Sequence, residues 1–327
     1  MSGRRSFPSL LVSCNGFEAH GTFAEAQAAF LEPDQRSMDL LRSGAAANQV
    51  GIVAHFYMDP ELQGVLAGSG YPHVYISDSL AMADSAVEMV RRGARQVVVL
   101  GVDFMAENVR AVLDHAGYEN VPVYRVAQQT IGCSLAEAAE TAEYLQWLKQ
   151  AATHGSNLHV IYINTSLYTK AHAHALLPTI TCTSSNVVKT VLSAFHQAPE
   201  LRLWFGPDTY MGQNLRVLFE SLQQRDEAEI RRLHPGHDRA SLARVIAGFN
   251  YFPRGNCIVH HMFSDEVARR VRADYADSFI TAHLEVPGAM FQLGLEAQRS
   301  DRGVVGSTSD ILGFVRRQVE LASQSAT

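Results

Sequence analysis

Cys133 (QQTIGCSLAEAAE) and Cys257 (PRGNCIVHH) each stand where a strand-like run gives way to a helix-like one. Thiolates that converge from such distant junctions are suited to holding a metal. Ionisable and hydroxyl residues gather in the same way at the ends of apolar runs. They are His55 and Tyr57 (AHFYMDPE), Ser77, Asp78 and Ser79 (ISDS), Tyr162 and Asn164 (IYINTS), and Thr183, Ser184 and Asn186 (CTSSN). Asp208 (FGPDTYMG), His283 and Glu285 (AHLEVP), and Ser307, Thr308 and Ser309 (GSTS) follow. Hydroxyls and backbone N–H groups at helix N-termini hold phosphate or carboxylate without a full positive charge. The ordinary alternative for SDS, TSSN and GSTS is a helix N-cap, which explains any one of them. Three such stretches, one per repeat, point to a pocket for a small anion.

Fourteen histidines are too many for all to be catalytic, and most, including His172, His174 and His261, are expected at the surface or in packing. His55 and His283 differ because each ends a strand beside another ionisable or phenolic group. A histidine near its ordinary pKa shuttles protons at neutral pH. Glu285, two residues beyond His283, shares its face if the strand is regular. A His–Glu pair of this kind could isomerise a carbonyl compound or drive a dehydration. No GxGxxG or Walker sequence is present, so nucleotide binding has no support.

The elements that must position these residues alternate. QVGIVAHFYM, PHVYISDS, QVVVLGVDFM and VPVYRVA read as buried parallel strands, separated by helices such as SLAMADSAVEMVRRG and AENVRAVLDHAG that end in glycine. After Cys133 the pattern restarts, with the helix LAEAAETAEYLQWLKQAA, the strands LHVIYINT, PTITCTSS and LRLWFGPD, and YFPRGN closing the unit. After Cys257 it restarts again, with the helix DEVARRVRADY, the strands SFITAHLEV and GVVGST, and the helix DILGFVRRQVELASQSAT. This predicts an α/β fold of three repeated αβα units. The expected boundaries are an N-terminal lead-in at 1–50, a first unit at 51–132, a second at 133–256 and a third, shortened unit at 257–327. In the lead-in, SLLVS reads as a strand, and TFAEAQAAFLE and SMDLLRSGAAA as helices. A two-stranded parallel sheet is marginal alone, so the expectation is that neighbouring domains or another subunit, for example in a homodimer, cover the third unit, or that the chain is a truncated form.

With 47% apolar and 18% charged residues, the 327-residue chain has the balance of a globular protein. Its net charge of −6 argues against nucleic acid or an anionic membrane as a partner. No apolar run is long enough to span a bilayer, and the first residues carry no convincing signal-peptide pattern. Four cysteines are not a disulfide framework, so a reducing cytoplasm is expected.

Taken together, GIVAHFYMDPELQGVL, SDSLAMADSAV, VLGVDFMAENVRAVLDHAG, TIGCSLAEAA, VIYINTS, TITCTSSNVV, WFGPDTYMG, NCIVHHMF, TAHLEVPGAMF and GVVGSTSDIL resemble the quinolinate synthase family, its plant-like branch most closely, from about residue 20 to 313. The resemblance implies a pseudo-threefold arrangement of the three αβα units around a central pocket. It implies a [4Fe–4S] cluster on three cysteines with one iron open as a Lewis acid. The implied reaction condenses iminoaspartate with dihydroxyacetone phosphate to quinolinate in NAD biosynthesis. By motif match, His55 and Tyr57 would meet the triose phosphate or the condensed intermediate. Ser79, Tyr162, Asn164, Ser184, Ser307 and Thr308 would hold carboxylate or phosphate, and His283 and Glu285 would carry proton transfers.

Cys133 and Cys257 match two cluster cysteines, and His260 would support them by hydrogen bonding from behind. Family members continue past GSTS and carry the third cysteine there. In this sequence Cys182 reads as a pocket or packed thiol, and Cys14 (LVSCNGFEAH) is the remaining candidate for a third ligand. A homologue with little or no cluster that uses the same pocket for a related condensation or dehydration is the second reading. A non-catalytic binding protein is the third.

Overall fold

The computed structural model describes residues 9–13 and 16–325, so Cys14 lies outside the described residues. The chain divides into two compact units, Met1–Gly132 and Cys133–Thr327.

The first unit opens with an antiparallel hairpin, β1 (Ser9–Ser13) and β2 (Gly16–His20), followed by the helices Thr22–Ala28 and Gln35–Ala47. The strand β2 was not legible in GFEAH, whose residues alternate between exposed and half-buried. Four parallel strands then form one sheet in the order β4-β3-β5-β6. They are β3 (Val50–His55), β4 (Val74–Ser77), β5 (Gln96–Leu100) and β6 (Val123–Arg125). The helices Pro60–Gly68, Ser79–Arg91 and Asp103–His115 alternate with them. Asp59 and Asp78 cap the first two through their carboxylates.

The second unit repeats the pattern. β7 (Asn157–Tyr162), β8 (Thr179–Cys182), β9 (Arg202–Gly206) and β10 (Phe249–Tyr251) are parallel in the order β8-β7-β9-β10. Three helices, Thr209–Gln223, Glu227–Leu233 and Arg239–Gly248, fill the long crossover from β9 to β10, a stretch the strand pattern left unread. A third sheet pairs β11 (Ile280–His283) with β12 (Gly303–Gly306) in parallel, and the helix Thr308–Ser325 follows.

The repetition extends to single bonds. The last residue of each opening strand is paired with the last of its successor: His55 with Ser77, Tyr162 with Cys182, and His283 with Gly306. The next N–H then bonds back to that partner's carbonyl in all three sheets, as Phe56 to Ser77, Ile163 to Cys182 and Leu284 to Gly306. His55, Tyr162 and His283 are therefore equivalent positions. In the four-stranded sheets these strands lie where strand order reverses, the place in open α/β sheets where ligands bind beyond the carboxyl ends.

The two-stranded sheet is covered within its own unit. Ala282, Leu284 and Phe291 belong to the same buried core as Leu203, Phe205, Met211, Leu215 and Phe249. Each large apolar side chain taken out of water there contributes about 1.5–3 kcal/mol, which offsets the weakness of a two-strand ladder.

His159 lies inside β7 and is fully buried. Its Nδ1 lies 2.7 Å from the Trp204 carbonyl and its Nε2 3.0 Å from the Tyr144 hydroxyl. The carbonyl can only accept, so Nδ1 carries the proton and Nε2 accepts from the phenol. Burial pushes its pKa down to about 4. The unfolded chain therefore gains a proton on this histidine below its ordinary value while the folded chain does not. Stability is lost as pH falls from about 6.5 to about 4, by roughly 3 kcal/mol for this group. Urea unfolding at the two pH values should show a drop smaller by about that amount in His159→Gln, and equal drops would refute the assignment.

Candidate functional site

Helix starts position the metal-ligating candidates. Cys133 immediately precedes the helix Ser134–Ala139, and Cys257 immediately precedes the short helix Ile258–His261. Ser134 ties these two starts together. Its Oγ donates to the Asn256 carbonyl at 3.0 Å and accepts the Ile258 N–H at 3.1 Å. The segments flanking Cys133 and Cys257 are thus joined across more than a hundred residues, and both thiols are half-buried. Burial pushes the Cys133 thiol up, and the neighbouring Cys257 and Glu285 charges add to the rise. Cys182 ends β8 fully buried, and burial holds it as a neutral thiol, which makes it a packed residue and a poor metal ligand.

Cys257, His260 and Glu285 each place one ligand atom within 4.8 Å of the others. A donor set of thiolate, imidazole and carboxylate is suited to a transition metal. One helical turn accounts for the first two, since Cys257 and His260 are three residues apart. That C-x-x-H spacing was visible in NCIVHH, whereas the participation of Glu285 was not. Thus His260, expected to support the cysteines from behind, is itself a candidate ligand.

Glu285 is the hub of this cluster and is 2% exposed. Tyr162 donates its phenolic hydrogen to Glu285 Oε1. His260 Nδ1 lies 3.2 Å from Oε2 and His283 Nδ1 lies 3.4 Å from Oε1. The two imidazoles stack, with centroids 5.1 Å apart and planes 10° from parallel. Burial alone would raise the Glu285 carboxyl, but His260, His283 and Tyr162 hold it well below the usual carboxylate range. Burial alone would depress His260, and its contacts with Cys257 and Glu285 instead raise it to about 10. His283 goes the other way. Burial lowers it, the charge of His260 adds to that, and Glu285 only partly compensates. One stacked histidine is charged and its neighbour neutral, the arrangement that like-charge repulsion at this distance favours. A long contact of 3.4 Å from the Glu285 N–H to His283 Nδ1 agrees with a neutral ring.

His283 and Glu285 meet for a different reason than strand alternation. β11 ends at His283, and Glu285 lies in the turn beyond it. The buried Asn214 holds that turn, donating from Nδ2 to the Leu284 carbonyl at 2.8 Å and the Val286 carbonyl at 2.7 Å. The expectation of a shared strand face is therefore corrected: the chain has left the strand, and a side chain from another helix fixes the carboxylate. Asn214, inside TYMGQNLRVLF, carried no local signal of this role.

The remaining strand-end residues divide. In the Ile163–Thr165 turn the Lys170 ammonium donates to the Ile163 carbonyl at 3.0 Å and to the Thr165 carbonyl, framing the half-buried Asn164. Thr183 and Ser185 hydroxyls lie 2.7 Å apart, and the Thr183 N–H donates to Asn186 Oδ1 at 2.8 Å, which leaves half-buried Ser184 at the tip of this turn. Ser307 is buried and donates its hydroxyl to Asp310 at 2.7 Å while accepting the Asp310 N–H at 3.3 Å. For Ser307 the capping alternative accounts for the hydroxyl, and Thr308 beside it is half-buried.

In the first unit, Asp78 is the cap of the following helix and Ser79 is buried in its first turn. His55 is buried at the end of β3, and its Nδ1 accepts the Tyr57 N–H at 3.3 Å. The Tyr57 ring lies against it, centroids 4.6 Å apart, and is 62% exposed. Gln63 pins the intervening loop through the Phe56 and Met58 carbonyls.

The quinolinate synthetase A protein family model matches residues 40–324. The chloroplastic quinolinate synthase of Arabidopsis thaliana is 53% identical over 97% of this chain and 44% of its own length. The chloroplastic quinolinate synthase of Oryza sativa subsp. japonica is 52% identical over 96% of this chain and 44% of its own. A quinolinate synthase of Cyanothece sp. is 28% identical over 84% of this chain and 66% of its own. The chain thus spans less than half the length of the plant relatives. Among solved structures, a Caulobacter myo-inositol binding protein bound to myo-inositol matches at 13% identity with a TM-score of 0.24. That match covers 81% of this chain and 95% of the other, and the likeness is too low to carry an argument. No helix among the described residues is long and apolar enough to cross a membrane.

Proposed function

The chain belongs to the quinolinate synthetase A family, and we propose that it carries quinolinate synthase chemistry, the condensation of iminoaspartate with dihydroxyacetone phosphate to quinolinate with release of phosphate and water in NAD biosynthesis. The observation that carries this reading is the convergence of Cys257, His260 and Glu285 with Tyr162 and His283 beside a turn that Ser134 ties to Cys133.

The donor set fits a metal group. Cys133 and Cys257 would supply thiolates to an iron–sulfur cluster, and His260 and Glu285 lie where they can support or complete it. Such a group, when bound, supplies Lewis acidity that eases loss of hydroxide from carbon. Glu285 keeps His260 charged and orients Tyr162. Neutral His283 can accept or return a proton at a ring nitrogen during the dehydrations. Tyr162, Asn164, Ser184 and Thr308 would hold carboxylate or phosphate oxygens by neutral donors. By the family resemblance, His55 and Tyr57 would meet the triose phosphate or the condensed intermediate, and Ser79 would hold a carboxylate or phosphate group. Small anions are thus the partners we assign. Free thiols at the site require a reducing compartment, cytoplasmic or within an organelle.

The test is anaerobic loading with iron and sulfide, followed by counting of both and by assay with iminoaspartate and dihydroxyacetone phosphate. Quinolinate formation dependent on bound iron is expected, and iron-loaded protein that forms none would refute the reading. Binding gives a second measure. Ser184→Ala should weaken quinolinate binding by about tenfold to a hundredfold in calorimetry, since a charge-assisted hydrogen bond contributes roughly 1.5–3 kcal/mol. Equal affinities would remove Ser184 from the site.

A further inference from the structure

Asp208 follows β9 and is completely buried. Its Oδ1 accepts the Met211 N–H at 2.9 Å and so caps the helix Thr209–Gln223. Its Oδ2 has no hydrogen-bond partner. Capping explains one carboxyl oxygen and would be served as well by serine. The second oxygen is unexplained, and a buried polar atom left so is costly unless something meets it.

The surrounding bonds lead toward the metal group. Thr209 donates its N–H to the Gly255 carbonyl at 2.6 Å and its hydroxyl to the Phe252 carbonyl at 3.1 Å, and Gly255 returns its N–H to the Thr209 hydroxyl at 2.8 Å. Gly255 has no room for a side chain, because a Cβ there would lie 2.1 Å from the Pro207 carbonyl oxygen. The Asp208 turn is therefore fastened to the segment that delivers Cys257. Glu285, His260 and Cys257 lie close enough to act electrostatically on the Asp208 carboxyl. A carboxyl that is completely buried, with one oxygen holding a single hydrogen bond and the other unpartnered, is poorly stabilised as an anion and is favoured in its neutral form. The proton that Oδ1 cannot carry while accepting from Met211 belongs on Oδ2. Within the cluster, Glu285 already accepts from Tyr162 and pairs with His260, so the sulfur or oxygen atoms of a bound metal group would be the acceptors open to the Asp208 proton.

We propose that Asp208 is a positioning residue of the metal group, donating a hydrogen bond from its second carboxyl oxygen to the sulfur or oxygen ligands held there. The inference rests on reading this cluster as a metal centre, and nothing in the motif FGPDTYMG distinguishes it from an ordinary cap.

Asp208→Asn retains both functions, a cap oxygen and an N–H donor in place of Oδ2. Asp208→Ser retains the cap alone. Wild type and both variants are loaded anaerobically with ferrous iron and sulfide, and iron release to a chelator is followed together with the thiolate-to-metal charge-transfer spectrum. Melting of the metal-free proteins is recorded in parallel. The serine variant should melt like the wild type, lose iron about tenfold to a hundredfold faster and show a shifted charge-transfer band, the scale on which supporting hydrogen bonds affect metal affinity. The asparagine variant should stay near the wild type in all three.

Iron release from Asp208→Ser at the wild-type rate overturns the proposal. Loss of iron in proportion to a lowered melting temperature overturns it in favour of the cap. An asparagine variant as labile as the serine one shows that Oδ2 is an acceptor, and overturns the donor role. A wild type that takes up no iron overturns the reading of the cluster as a metal centre, and this inference with it; the wild-type sample alone reveals that case.

Discussion

Glu285→Ala should lower unfolding stability by about 3–5 kcal/mol at pH 6, the usual consequence of removing one member of a buried charged pair. His260 would keep its burial and lose its anion, and Tyr162 and His283 would each lose a contact. The pH dependence identifies the cause. Glu285 is held below the ordinary carboxylate pKa, so its contribution is present above about pH 4.5 and lost as pH falls through the folded value. His260 is raised to about 10, so its contribution is complete below about 6.5 and lost as pH rises toward 10. The difference between wild type and variant should therefore be greatest from about pH 4.5 to 6.5 and shrink on both sides. Urea titrations across that range decide it, and a constant difference from pH 4 to 10 would mean that packing, and not charge, accounts for the loss. Glu285→Gln keeps the shape and should recover part of the stability. It should not recover turnover, for which a loss of roughly 10²- to 10⁴-fold is expected from removing a group that sets proton transfer.

What the sequence displayed and what it concealed follow one physical division. β-branched runs and glycine-terminated helices report local periodicity, and they located β3 to β9 and β11 and β12 and placed His55, Tyr162 and His283 at strand ends. The equivalence of these three residues was not read from the sequence, because it lies in the matching register of three separate strand pairs. The long crossover after β9 was not, since its helices interrupt the alternation on which the reading depended. Within the site, Cys133, Cys257, His283 and Glu285 were legible as residue types at junctions. Asn214 and the second oxygen of Asp208 were not. Asn214 fixes Glu285 through the carbonyls of a turn seventy residues away in sequence, and Asp208 has a capping role that conceals any other. Such functions depend on tertiary neighbours, and composition or spacing cannot carry them.

Replacing the cysteines one at a time should separate two ways in which this cluster can hold metal. Cys257 belongs to both. With Cys133 it would form the thiolate pair of the proposed iron–sulfur group, and with His260 and Glu285 it could hold a single ion. Cys257→Ser should therefore abolish sulfide incorporation and weaken binding of a lone ferrous or zinc ion at least a hundredfold, since a hydroxyl is a far poorer ligand than a thiolate at neutral pH. Cys133→Ser should abolish sulfide incorporation alone. It lies outside the three-donor group, so a single ion should bind within a few-fold of wild type. Iron and sulfide counting, with zinc titration against a competing chelator, reads both quantities from the same preparations. Equal loss of single-ion binding in the two variants would show that both sulfurs ligate the lone ion and would dissolve the three-donor site. Sulfide retained by Cys133→Ser would exclude Cys133 as a cluster ligand. The first pattern, with Cys257 essential to both and Cys133 to one, follows from the fold because Ser134 holds the two cysteine-bearing turns together while only Cys257 shares a helical turn with His260.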